Sequence, residues 1–233
     1  MPAHFTPAAT KFLRALKRNN DRTWFNDRKP LYETELKAPL LALIAELNEH
    51  MLDFAPAHVR PPHKIALRIY RDIRFAKDKR PYKTHVSAWW AHDGLAKTSG
   101  AGYYLQLSGD QLLIAAGVYM PEREQLLAIR RHLLDHHQDY RRILAGKKLR
   151  AAFTEFEGPS GNKLTRAPKG FPADHPAIDL LLHRQWGVST TLPAERAYQP
   201  TLAKEIAAHF RLAAPLIDLL NTPLQPKPKK PLF

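Results

Sequence analysis

Residues 103–119 read YYLQLSGDQLLIAAGVY, and this stretch decides the fold. Tyr103 to Ser108 and Leu112 to Tyr119 are strand-like runs, and the Ser108–Gly109–Asp110 turn between them predicts a β-hairpin. Upstream, Val86 to His92 reads as another strand. Before it, Ile65, Leu67 and Ile69 alternate with Ala66, Arg68 and Tyr70, the period of two that marks a strand. Four consecutive strands with no helix between them predict an antiparallel meander. Trp89–Trp90 and Tyr103–Tyr104 each put one aromatic on either face of such a sheet. One of each pair is expected in the core, and the other can line a pocket or stack on a base.

Helical patterns flank the meander. Phe5 to Arg18 has Phe12, Leu13 and Leu16 on one face, and Asn19–Asn20–Asp21 ends it. Asp21 suits the cap of a second helix that turns Trp24 and Phe25 inward. Pro30 fits the first turn of a longer helix through Met51, which Pro39 should kink or divide. Its core face is Leu36, Leu40, Leu43, Ile44 and Leu47. Downstream, Pro121 opens a helix to about His137 with Glu122 and Glu124 in its first turn. Leu126, Ile129, Leu133 and Leu134 form its apolar stripe. A separate helix is expected from Tyr140 to Phe153, then a loop from Gly158 to Pro172. A helix from Pro176 to His183 follows, capped by Asp174 or His175. Gln185 to Thr191 is a possible fifth strand, and Pro200 to Leu220 a final amphipathic helix.

The expected architecture is α+β: a single domain over residues 1–221, with a mainly antiparallel sheet of four or more strands packed with N-terminal and C-terminal helices. Residues 222–233 form a Pro/Lys-rich extension, expected to be disordered. A chain of 233 residues with 44% apolar and 25% charged residues can bury a full core. It contains no cysteine, which excludes disulfides, cysteine-ligated metals and thiol nucleophiles. The opening segment lacks the apolar run of a secretory signal, and no run is long enough for a membrane helix. A cytoplasmic location is expected.

The net charge of +14 is unevenly spread. Residues 60–85, RPPHKIALRIYRDIRFAKDKRPYKTH, hold nine Lys or Arg against Asp72 and Asp78, which is half of that net charge. Strand parity aligns Arg71 with Ile65, Leu67 and Ile69, so its guanidinium should emerge at the edge of the core. There it needs a carboxylate or an anionic ligand, because an unpaired buried charge costs several kcal/mol. Arg74, Lys77, Lys79, Arg80 and Lys83 follow in a loop. Like charges about 4 Å apart repel by roughly 4 kcal/mol at a surface-like dielectric.

Two readings result. In one, Arg71, Arg74, Lys79, Tyr82 and Lys83, with Tyr104 nearby, hold a phosphate- or carboxylate-bearing small molecule. His85 is then the candidate general acid or base of an enzyme. In the other, the arginines pair with Asp21, Glu33, Glu35 or Asp72 in a structural network. A nucleic-acid-binding module using the same loop and the tail lysines Lys227, Lys229 and Lys230 is the alternative function, and a protein-interaction scaffold a further one.

Several stretches resemble the family catalogued as domain of unknown function 2461. They are Asn19–Asn20, Arg22, Trp24–Phe25, Lys29 and Tyr32–Glu33, then Arg71–Asp72–Ile73–Arg74–Phe75 with Lys79 and Pro81–Tyr82–Lys83–Thr84. Gly102–Tyr103–Tyr104, Gly117–Val118–Tyr119, Pro168–Lys169–Gly170–Phe171 and Asp174–His175–Pro176 also fit. His85 stands where many relatives are expected to carry Asn. The resemblance spans roughly residues 5–220 and implies a widespread, mainly bacterial protein. It supplies no activity, cofactor or catalytic residue.

Other chemistry finds little support. His132 and His136 are four apart on one helix with Asp135 and Asp139 nearby, but the Glu of an H-E-x-x-H site is missing. His85 and His92, seven apart, fall on opposite strand faces. No nucleophile elbow, Walker loop or dinucleotide fingerprint is present. No metal or cofactor is expected, and the oligomeric state is open.

Overall fold

The computed structural model of the chain describes residues 2–95, 100–156 and 163–225. Five antiparallel strands form one sheet in sequence order: β1 (Ala66–Leu67), β2 (His85–Trp90), β3 (Gly102–Ser108), β4 (Gln111–Val118) and β5 (Trp186–Pro193). The fold is α+β with helices at both ends, as the hairpin pattern predicts. In-register pairs Ala88↔Leu105, Leu105↔Ile114 and Ala116↔Val188 line the inner face. Trp89, Tyr104 and Ala115 line the outer face.

Helices cover the inner face. α1 (Pro7–Arg18) is followed by α2 (Arg22–Asp27), whose cap is Asp21: its carboxylate accepts the Trp24 N–H at 2.9 Å. Next come α3 (Lys29–Tyr32), a π-turn over Glu33–Lys37, and α4 (Ala38–Met51). The π-turn is how the chain accommodates Pro39. The Ala38 N–H reaches back five residues to the Glu33 carbonyl, and Pro39, which has no N–H, sits in the first turn of a fresh helix. Leu36, Leu40, Leu43, Ile44 and Leu47 are all buried. Burial of one such side chain is worth about 2 kcal/mol.

α5 (Pro62–Ile65) precedes β1. After β4 come α6 (Arg123–Leu144), α7 (Lys147–Ala152), α8 (Ile178–Leu181) and α9 (Leu202–Asn221). α9 packs on α4 and β4, and its Phe210 ring meets Trp90 at 5.3 Å and Tyr103 at 4.9 Å. Trp90 and Tyr103 are thus the core members of the two aromatic pairs. Trp89 and Tyr104 are half-buried on the outer face.

Three expectations need correction. The strand over Ile65–Tyr70 shrinks to Ala66–Leu67, because consecutive prolines at 61 and 62 set a helical turn ending at Ile65. Ile65 and Ile69 are buried, but Leu67 pairs with Ser87 on the outer face and is only half-buried. The division expected near Tyr140 falls at His136, where a non-helical residue (φ −114°, ψ 19°) kinks α6 into two helical parts, and the second part ends at Leu144 instead of running to Phe153. At the kink the His137 ring donates to the Leu134 carbonyl at 3.0 Å. The helix expected from Pro176 to His183 is shortened to α8, with the His175 ring accepting the Ala177 N–H at 3.1 Å. The part of the expected Gly158–Pro172 loop before Lys163, and the tail beyond Gln225, lie outside the described residues.

Candidate functional site: a basic flap with an aromatic tip

Between β1 and β2 the chain makes a flap. Its neck is a bridge between Tyr70 and Tyr82, with Arg71 N–H donating to Pro81 O at 2.9 Å and Lys83 N–H to Ile69 O at 2.8 Å. Asn20 clamps the neck from α1's end. Its amide donates to the Tyr82 carbonyl at 3.0 Å and accepts the Tyr82 N–H at 3.0 Å, so one side chain imitates a strand partner. The Tyr82 ring is buried and stacks on Phe25 at 4.0 Å, and Tyr70 leans on both.

The flap is shaped by two copies of one local device, Asp-x-Arg. In Asp72–Ile73–Arg74 the carboxylate accepts the Arg74 N–H at 3.2 Å and grips its guanidinium at 3.0 and 2.8 Å. In Asp78–Lys79–Arg80 it accepts the Arg80 N–H at 3.0 Å and grips that guanidinium at 2.7 Å. A short acidic side chain that bonds the backbone two residues on is the ordinary Asx turn, here reinforced by charge. Asp78 also takes Arg71 at 2.9 Å, and Arg71 donates to the Arg80 carbonyl at 2.9 Å. The Arg80 side chain foremost, then the Arg80 N–H and Arg71, hold the Asp78 carboxyl far below the usual range. Arg74 lowers Asp72 in the same way.

Lys79 closes the tip by donating to the Ile73 carbonyl at 3.1 Å and the Arg74 carbonyl at 3.4 Å. What remains at the tip is Phe75, 95% exposed, with the Arg74 guanidinium 5.8 Å from its ring centre. Lys77 and Arg68 are exposed and lack a hydrogen bond or ion pair within the described residues.

Arg71, Arg74, Lys79, Tyr82 and Lys83 therefore share one flap, and His85 starts β2 beside it. Tyr104 does not join them. It pairs with Trp89, four residues along β2 from His85, about 13 Å away at strand spacing. Its hydroxyl donates to Gln106 Oε1 at 2.8 Å. His85 is half-buried opposite Ser108, and its pKa is lowered to about 4 by burial and then by Lys83. Burial and the nearby Lys83 both favour the neutral ring.

The arginines do not pair with Glu33 or Glu35. Glu33 bonds Lys37, and Glu35 accepts the Thr6 hydroxyl. The exposure of Phe75 and the part of Asp78 escaped the sequence reading, although the repeated Asp-x-Arg was a usable signal. A second missed feature is a cleft lined by Leu13, Arg14, Lys17, Thr84 and the Ser108–Gln111 turn, which adjoins the flap's exit. Among the described residues no group of three or more His, Asp or Glu is placed to hold a metal. There too, no helix is long and apolar enough to cross a membrane.

The family model described as a conserved hypothetical protein (DUF2461) matches residues 8–219. No curated protein and no solved structure matches the chain.

Proposed function

We propose that this chain, which belongs to the DUF2461 family of conserved hypothetical proteins, binds a phosphate- or carboxylate-bearing partner on its basic flap. The observation that carries this reading is the flap's charge imbalance. Arg68, Arg71, Arg74, Lys77, Lys79 and Arg80 face only Asp72 and Asp78. Those carboxylates are spent on shaping the flap, so four positive charges are left over. Repulsion among them is relieved by an anion.

The cations fan outward, with Arg74 77% and Arg80 56% exposed at the side chain. That geometry suits a multivalent anion lying on the surface better than a small molecule enclosed in a pocket. The small-molecule form of the reading draws support from the neighbouring cleft, which Lys17 and Thr84 both line. Both forms fit a cytoplasmic setting, as does the lack of cysteine.

Isothermal titration with inorganic polyphosphate at low salt tests the proposal. Binding is expected, and Lys77→Glu should weaken it several-fold, because Lys77 has no structural partner to lose among the described residues. No binding by the wild-type chain would reject the reading.

A further inference from the structure

We infer that the anion taken by the flap is a single-stranded nucleic acid, with Phe75 as the surface on which a base stacks. The inference rests on the anion-binding reading above and adds to it the class of ligand.

Phe75 is the starting point. It is 95% exposed, more than any other large apolar side chain described. A Phe left in water forgoes burial that the same chain gives to Phe25, Phe153 and Phe210. Nor is it on a loose strand of chain. The Arg74 N–H is fixed by Asp72, and the carbonyls of residues 73 and 74 by Lys79, so the two residues that lead into the ring are held. The fold builds a support for an exposed ring.

The neighbours of the ring identify what it meets. Arg74 lies beside it, and Lys77 and Lys79 follow within four residues. A protein interface core accepts an arginine beside its aromatic anchor but is depleted of lysines such as Lys77 and Lys79. A bilayer needs more apolar surface than one ring offers, since a lone hydrophobic anchor binds membranes only marginally. A single-stranded nucleic acid asks for what the flap has: cations for the backbone and an aromatic face for a base, with no requirement on which base. Duplex nucleic acid satisfies the cations but hides its base faces within the stack. Tyr70, 46% exposed at the flap's neck, is a second ring on the same element.

The experiment is fluorescence anisotropy with labelled oligothymidylate and oligouridylate of about a dozen nucleotides. A duplex of the same length, inorganic polyphosphate and anionic phosphatidylserine vesicles are run beside them. Wild-type protein is expected to bind the single strands. Four surplus cations predict a log–log salt slope of about −3. Phe75→Ala should weaken single-strand binding by about ten-fold and polyphosphate binding by less than about two-fold, and Phe75→Trp should restore it. Because the ring touches so little, neither variant should disturb folding.

Equal binding of polyphosphate and single strands with no effect of Phe75→Ala overturns the nucleic-acid inference and leaves the anion reading standing. So does binding to vesicles with none to the strands. Binding to none of these ligands overturns both.

Discussion

Arg71 and Asp78, seven residues apart, meet at 2.9 Å across the flap, and the same carboxylate holds Arg80. One acid therefore fastens the flap's entry to its exit. Asp78→Asn should loosen this joint without unfolding the sheet. Hydrogen exchange at the amides of Arg71 and Lys83, which bond across the neck, is expected to accelerate, while exchange in β3 and β4 stays unchanged. The lowered pKa of Asp78 sets a sign: the joint is complete above the ordinary carboxylate range near pH 4 and fails only as pH falls well below it. Unaltered exchange in the variant would mean that backbone pairing alone holds the flap.

The clamp at Asn20 yields a stability prediction. Asn20→Ala strips both partners from the part-buried backbone groups of Tyr82. A loss of about 2 kcal/mol is expected in urea unfolding. Asn20→Asp keeps the acceptor but removes the donor and should fall between wild type and Ala.

Acid sensitivity should trace in part to His58. Its ring is 3% exposed, and burial, then His92 and Arg60, lower its pKa to about 4 against an upward pull from the Ala101 carbonyl. The unfolded chain takes up this proton near pH 6.5 and the folded one does not until about 4. Stability is thus intact above the higher value and falls as pH drops between the two. From pH 7 to 5 the loss from this group is about 2 kcal/mol. His58→Leu should flatten that part of the profile. The Ala101 carbonyl keeps the Asn221 amide at 3.1 Å as its donor. Urea midpoints with an unchanged pH dependence in the variant would reject the assignment.

Two glycines should respond differently to Ala. At Gly117 (φ +151°) a Cβ would lie 2.2 Å from the Trp186 carbonyl and 2.5 Å from the Gly187 Cα, so β4 and β5 must part. Gly117→Ala is expected to cost more than about 4 kcal/mol, enough to abolish soluble expression. Gly170 (φ +85°) faces open space. Gly170→Ala should cost about 1 kcal/mol, from backbone strain alone. Comparable melting temperatures for the two variants would contradict the described strand approach.

The meander was legible because turn chemistry at Ser108–Gly109–Asp110 separates two apolar runs and folds them back on each other. The helical stripes of α1, α4 and α9 were legible for the same reason, since their buried residues keep helical spacing. Ile65 to Tyr70 misled because alternation reports burial, not pairing. Ile65 and Ile69 are buried, but the first ends a helical turn and the second belongs to the neck of a flap. The flap's composition was plain, and its wiring was not. Of the acids named as partners, Asp72 does pair with Arg74 while Glu33 and Glu35 do not, because a carboxylate two residues away can grip both a guanidinium and its backbone N–H at little loss of chain entropy. The exposure of Phe75 was hidden, because an aromatic beside Ile73 reads as core until the loop's own hydrogen bonds turn it outward.

The most direct test of the flap as an anion site is an amide NMR titration of the full chain with inorganic polyphosphate. Shifts are expected to concentrate in residues 68–85, led by Arg74, Lys77 and Lys79, with β4, β5 and α9 undisturbed. Saturable shifts centred elsewhere, or none within the flap, would contradict it.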